Sequence, residues 1–266
     1  MPTFFGAENA PRKIMKKLQI GILIFLCLSS FLLAPAWAGE PTEAQPAFEQ
    51  GVAALNQGNA ALAVEKFSEA LKLDPELVEA YINRGIAQLR LEEPVEAVAD
   101  FDKALELAPN SVEALYNRAL AYSKGGVYDQ ALADYTQALK YAPEDWQIVY
   151  NRGNAYLDLG KAKEALADYQ RALKLQPETP EVLNNRGLAY LSLGQAEKAL
   201  NDADEALRLK PDFARAQFVR AQALEKLGQK YEAMAAYRQF LKAGNPAKDQ
   251  DLLQKALAHL EKLEGK

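Results

Sequence analysis

VEALYNRALAYSKGGVYDQALADYTQALKYAPED, residues 112–145, runs without a gap into WQIVYNRGNAYLDLGKAKEALADYQRALKLQPET, residues 146–179. The two stretches agree at Asn-Arg, at Ala-Tyr, at Ala-Leu-Ala-Asp-Tyr and at a closing proline, all at the same offsets. Outward in both directions the proline recurs as Pro75, Pro109, Pro143, Pro177 and Pro211, a spacing of 34 residues. A fixed period of this size means that one supersecondary unit is copied and that each copy buries its apolar face on its neighbours. The chain is therefore an array of small units and not one globular core.

The other columns of the period say what the unit is. Ala63, Ala97, Ala131, Ala165, Ala199 and Ala233 form one, and Ala70, Ala104, Ala138, Ala172 and Ala206 another, seven residues later. Between them stand Phe67, Phe101, Tyr135, Tyr169 and Tyr237, interrupted once by Ala203. Small side chains let two helices approach, and the large ring fills the space around them. Apolar residues within a unit follow helical spacing, as in Ala97, Val98, Phe101, Ala104 and Leu105, and in Tyr81, Ile82, Ile86 and Leu89. Each unit is thus a helix pair. The break within it falls at Gly58, Gly126, Gly160, Gly194 and Gly228, with Glu93-Pro94 in that place in the second unit. The second helix stops at the column proline. New helices start at Thr179-Pro180 and at Asn110 with Glu113 three residues on.

These columns resemble the tetratricopeptide repeat family, whose signature sets a small residue at the eighth position, Tyr at the eleventh, Ala at the twentieth, an aromatic at the twenty-fourth and Pro at the thirty-second. The resemblance implies an all-α fold, a right-handed superhelical solenoid of about six helix-turn-helix repeats. Counted this way the units are 44–77, 78–111, 112–145, 146–179, 180–213 and a degenerate 214–247, in which Phe240 replaces the second alanine and the proline slips to Pro246. From Lys248 to the end, Leu252, Leu253, Ala256, Leu257, Leu260 and Leu263 share one helical face, the pattern of a capping helix over 248–266.

The N-terminus has another character. Arg12, Lys13, Lys16 and Lys17 precede an uncharged stretch from Leu18 to Gly39 that ends in Ala36-Trp37-Ala38. This is the pattern of a signal peptide over residues 1–38, followed by a short linker at 39–43. The alternative is an uncleaved membrane anchor, since that stretch is long enough to span a bilayer. Met15 is a second candidate start. Either way the repeats are placed outside the cytoplasm, in a periplasm or a thylakoid lumen.

Composition excludes several classes. Taking away residues 1–38 removes four basic residues and one acidic, leaving 27 basic against 35 acidic. A net negative charge of this size argues against a nucleic-acid partner. The only cysteine, Cys27, lies in the N-terminal stretch, preceded by Leu26 where a lipoprotein signal needs a small residue. The only histidine, His259, has no potential metal ligand at useful spacing. No phosphate loop, nucleophile triad or metal cluster is visible, so the chain reads as a non-enzyme with neither cofactor nor metal.

Polar columns remain. Asn83, Asn117, Asn151 and Asn185 occupy the sixth position of four consecutive units, each followed by an arginine: Arg84, Arg118, Arg152 and Arg186. Asparagine is a mediocre helix former, so four in register imply an offsetting interaction. In the family this position lies on the concave face, where some members hold the backbone of an extended peptide with an asparagine ladder. The resemblance therefore implies a peptide groove containing these asparagines with Tyr116, Tyr150 and Asn154. The competing interpretation is that the amides bridge adjacent helices of the scaffold. Each arginine shares its unit with an aspartate sixteen residues on, Asp100, Asp134, Asp168 or Asp202, which implies structural ion pairs, within a unit or to the unit before. The fifth positions carry no lysine, and only Tyr150 with Asn154 keeps half of the family's carboxylate clamp. The sequence thus expects a non-catalytic scaffold or adaptor in the cell envelope that captures a protein or peptide in its groove for complex assembly. The alternative is a structural subunit that self-associates or packs permanently through its convex face or C-terminal helix.

Overall fold

The computed structural model describes residues 43–247 and 249–265. Signal peptide, anchor and linker up to residue 42 lie outside the described residues. Six helix pairs follow one another: α1 Gln45–Asn56 with α2 Ala60–Leu73, α3 Val78–Arg90 with α4 Pro94–Leu107, α5 Val112–Lys124 with α6 Tyr128–Tyr141, α7 Trp146–Asp158 with α8 Ala162–Leu175, α9 Pro180–Ser192 with α10 Ala196–Leu209, and α11 Ala214–Lys226 with α12 Lys230–Ala243. A last helix, α13, spans Gln250–Glu264, and the described residues form an all-α superhelical repeat array.

Local chemistry sets the boundaries. The second helices of the first five units end on Asp74, Ala108, Ala142, Gln176 and Lys210, all outside the helical region, because the proline that follows each disfavours helical backbone before it. The intra-unit turn needs a left-handed residue. Gly58, Gly126, Gly160, Gly194 and Gly228 supply it, and in the second unit the residue with positive φ is Glu92, at 63°, not Glu93-Pro94 as a glycine substitute. A side chain in that region costs roughly 1 kcal/mol, a strain the other intra-unit turns avoid with glycine. The start of α5 also differs from expectation. Ser111 is the cap, its hydroxyl accepting from the Ala114 N–H, while Asn110 accepts from the Tyr141 hydroxyl. Thr179 occupies the cap position of α9 but turns its hydroxyl back to the Gln176 carbonyl.

The alanine and aromatic columns are the core. Phe67, Phe101, Tyr135, Tyr169 and Tyr237 are completely buried among alanines that are also completely buried. Their rings lie over the eighth position of the first helix: a Cβ on Gly51, Gly85 or Gly153 would come within 2.6, 2.6 and 2.8 Å of Phe67, Phe101 and Tyr169. Where the column is broken by Ala203, Val219 of the next unit fills the gap, 3.0 Å from the place of a Cβ on Gly187. First helices of neighbouring units also touch one another, while pairs of second helices do not to a comparable extent, so the first helices form the inner face.

In α13 the expected single apolar face is divided. Ala256 is completely buried, as are Ala87, Ala189 and Ala223 at the tenth position, but it stands 33 residues after Ala223 instead of 34. This one-residue slip turns Leu257 outward, 48% exposed, while Leu252, Leu253 and Leu263 pack on Phe218, Tyr237 and Phe240. His259 stacks on Tyr237 with Nδ1 2.8 Å from the Glu225 carboxylate, tying α13 to α11 and α12.

Candidate functional site: the inner face

The four arginine–aspartate sets pair within their own unit. Arg84 Nε and Nη2 reach Asp100 at 2.7 and 2.6 Å, and the same two-point geometry joins Arg118 to Asp134, Arg152 to Asp168 and Arg186 to Asp202. The aspartates are buried and the guanidiniums mostly so, and hydrogen bonding to the carboxylate raises each arginine above its ordinary pKa. The remaining Nη1 faces the preceding unit. It meets Ser68 in the case of Arg84, Asp102 at 2.6 Å in that of Arg118, and Thr136 at 3.3 Å in that of Arg152. Arg220, with Ala236 in place of an aspartate, bonds Asp204 of the preceding unit. The same guanidiniums lie 5.7–5.9 Å from the rings of Tyr81, Tyr122, Tyr156 and Tyr190. Arginine thus clamps helix to helix and unit to unit.

The asparagines lie on first helices and are partly exposed. Each of Asn83, Asn117 and Asn151 donates to the backbone carbonyl four residues before it, Glu79, Glu113 and Gln147. Where the preceding unit has tyrosine at the fifth position, the amide also reaches across: Asn151 Nδ2 donates to the Tyr116 hydroxyl at 3.0 Å, and Asn185 Nδ2 to the Tyr150 hydroxyl at 2.9 Å. Asn185 Nδ2 also meets Asn154 Oδ1 at 2.9 Å, an oxygen that already accepts from the Tyr169 hydroxyl. Asn154 Oδ1 is thus saturated inside the scaffold. Asn184 Nδ2 in turn donates to Asn185 Oδ1 at 2.9 Å. A chain of amides and hydroxyls therefore crosses units three to five, and each donor that reaches across units points to the unit before.

Both interpretations of the asparagines have geometry behind them. Donors are partly spent in the scaffold, yet among the described residues the Tyr116 and Tyr150 hydroxyls accept without donating in turn. Burial raises both phenols, which keeps them protonated and able to donate. Leu120 and Leu188, half-buried, flank the row. At its C-terminal end opens a cleft of about 570 Å³ between α9, α11 and the α12–α13 link, lined among others by Tyr150, Glu181, Asn185, Lys210, Arg215 and Asp249. Of these, Glu181, Lys210, Arg215 and Asp249 were not singled out by sequence. They lie outside the columns that the polar residues follow, and the only legible signal was Asn184, an amide in an otherwise apolar column.

No helix among the described residues is long and apolar enough to cross a membrane, and no cluster of metal-ligating side chains occurs among them.

Comparison with known proteins agrees with this architecture. Tetratricopeptide repeat profiles match residues 48–112, 112–145, 180–213 and 214–243, and a TPR repeat profile matches 153–194. No curated protein matches the sequence. Among solved structures the chain is similar to PilW, described as a widely conserved type IV pilus biogenesis factor, at 21% identity and a TM-score of 0.71, over 80% of this chain and 98% of that one. It is similar to a tetratricopeptide repeat protein from Parabacteroides merdae at 20% identity and a TM-score of 0.68, over 84% and 92% of the two chains. It also resembles YrrB, described as a TPR protein with an unusual peptide-binding site, at 23% identity and a TM-score of 0.58, over 73% and 98%. With five profile matches spread over residues 48–243 and the repeat architecture built as described, the chain belongs to the tetratricopeptide repeat family.

Proposed function

We propose that this protein is a non-catalytic protein–protein interaction scaffold whose inner face captures an extended polypeptide segment of a partner, outside the cytoplasm. The observation that carries the reading is the row of Asn83, Asn117, Asn151 and Asn185 with the Tyr116 and Tyr150 hydroxyls, donors and acceptors along one face with apolar Leu120 and Leu188 beside them. An extended segment offers alternating N–H and C=O groups, and such a row matches them without regard to side chain. The four arginine–aspartate sets belong to the scaffold that holds the row in place. Export is supported by the basic flank, uncharged stretch and Ala-Trp-Ala site before residue 39. The fold shared with a pilus biogenesis factor and with a peptide-binding repeat protein supports a role in assembling an envelope complex.

The test is capture from an envelope extract of the source cells, with the chain as bait beside a variant in which Asn83, Asn117, Asn151 and Asn185 are all alanine. A partner held by the first and lost by a variant of unchanged helical content is expected. Equal retention by both would move the contact to the convex face or to α13 and end the groove reading.

A further inference from the structure

The fifth position of the first helices is Phe48, Ile82, Tyr116, Tyr150 and Phe218 in five units and Asn184 in the remaining one. Asn184 is 3% exposed. Its Nδ2 donates to Asn185, while its Oδ1, sealed from water, has no hydrogen-bond partner among the described residues. A buried acceptor without a donor destabilises the fold that contains it, and leucine in this column would remove that penalty. The scaffold therefore gains nothing from this oxygen.

Its surroundings indicate what does. The cleft of about 570 Å³ described above and a smaller one of about 150 Å³, which adds Leu188, Phe218 and Leu252, meet at Asn184. Among the described residues only Asn184, Asn185 and Arg215 line both. Arg215, which lines both clefts with Asn184, bonds Asp249 from Nε to Oδ1 at 3.0 Å, and about half of its long side chain is exposed. Among the described residues the charged groups lining the cleft pair with one another: Lys210 with Glu181 at 3.3 Å, Arg215 with Asp249. A site with its charges paired internally favours a neutral dipole over an ion. Next to the unspent acceptor stands an unspent donor, the Tyr150 hydroxyl.

We propose that this cleft is the anchor of the groove, where one residue of the bound polypeptide, in extended conformation, donates its N–H to Asn184 Oδ1 and accepts at its own carbonyl from the Tyr150 hydroxyl. This rests on the peptide-groove reading and adds to it a fixed point, a register and a direction. The cleft volume is within the range of sites for small ligands, enough for a short stretch of backbone.

The experiment uses the full chain and a defined probe, N-acetyl-trialanine methylamide, with its fully N-methylated analogue as the control that keeps the carbonyls and lacks every N–H. Side-chain amide signals in nitrogen–proton spectra, assigned through single variants, report the contact. Expected are saturable shifts at Asn184 and Asn185 with the first probe and at least tenfold weaker ones with the second. Asn184→Leu is expected to abolish the cleft response and to raise the melting temperature by about 2–4 °C, since it fills an apolar column. A fall in melting temperature, or equal response to both probes, would overturn the proposal. Shifts confined to Asn117 and Asn151 would overturn the anchor and leave the groove standing, whereas no shift anywhere on the inner face would sink both.

Discussion

Replacing Asp168 by alanine removes two charge-assisted hydrogen bonds, at 2.7 and 2.8 Å, from a guanidinium whose side chain is 17% exposed. What remains to Arg152 is the Thr136 hydroxyl at 3.3 Å and the face of Tyr156. Stranding a buried charge in this way costs about 3–5 kcal/mol, and the residual exposure of Arg152 places the expected loss near the lower end, about 3 kcal/mol. Asp134→Ala is the informative comparison, because Arg118 keeps a second carboxylate, Asp102 of the preceding unit at 2.6 Å. With that partner retained the loss falls to about 1–2 kcal/mol, the scale of a lost charged hydrogen bond. The two substitutions are alike in sequence context, both an aspartate in Ala-Leu-Ala-Asp-Tyr, so a difference between them isolates the contact across units.

Urea unfolding followed by circular dichroism measures both. Amide hydrogen exchange adds the location, since a stack held by nearest-neighbour contacts can open locally. The double variant Arg152→Met/Asp168→Leu completes the set: exchanging the whole pair for apolar side chains should leave stability within about 1 kcal/mol of the parent. Equal losses for Asp134→Ala and Asp168→Ala would refute the role given to Asp102. A double variant as unstable as Asp168→Ala alone would show that packing around the pair, and not the stranded charge, sets the cost.

Gly153→Ala sets two effects against each other. Alanine gains about 1 kcal/mol in helix propensity, but its Cβ would lie 2.8 Å from Tyr169, whose ring is buried and whose hydroxyl is tied to Asn154. Overpacking of this kind costs about 1–3 kcal/mol, so a net loss of up to about 2 kcal/mol is expected in chemical denaturation. Burial raises the phenols of Tyr135, Tyr169 and Tyr237 above their ordinary pKa. A folded pKa above the unfolded one gives stability that is present below about pH 10 and lost as pH rises beyond it, because only the unfolded chain ionises there. Absorbance of tyrosinate should therefore rise in two stages, exposed phenols first and these three together with the loss of helical signal; a single smooth titration of a folded chain would contradict this.

The parts of this fold that were legible in the sequence are those fixed by local chemistry. Proline constrains its predecessor whatever surrounds it, so Pro75, Pro109, Pro143, Pro177 and Pro211 mark real helix ends. Asp100, Asp134, Asp168 and Asp202 could be paired with their arginines by co-occurrence alone. Which unit they served could not, because a guanidinium presents several donors, and the fork spends two on its own unit and one on the unit before. The slip in α13 was hidden for a related reason. The Gly244-Asn245-Pro246 link departs from the column proline, so counting by 34 no longer gives the face, and Leu257 is turned out where the count placed it inward.

Periodicity also cannot show where a polar column ends, and here the core decides it. The sixth position is Asn in units two to five and Val219 in the sixth, and Val219 is buried because Ala203 has left the space of an aromatic ring. A larger residue at 203 would fill that space and free position 219 for an amide; with Ala203 in place the row must stop at Asn185. At the other end Phe48 and Ile82 lack the hydroxyl that Tyr116 and Tyr150 offer, so Asn83 and Asn117 are held only by their own helix. The cross-linked part of the row is therefore confined to units three to five, beside the cleft at Asn184, and rigidity and an unspent acceptor coincide at one end of the inner face. Tyr150→Phe should loosen that end while leaving Tyr116 and Asn151 joined, so a partner anchored at the cleft would be lost with Tyr150→Phe and retained with Tyr116→Phe. Equal sensitivity to both would mean that the segment is held along the whole row, with no preferred end.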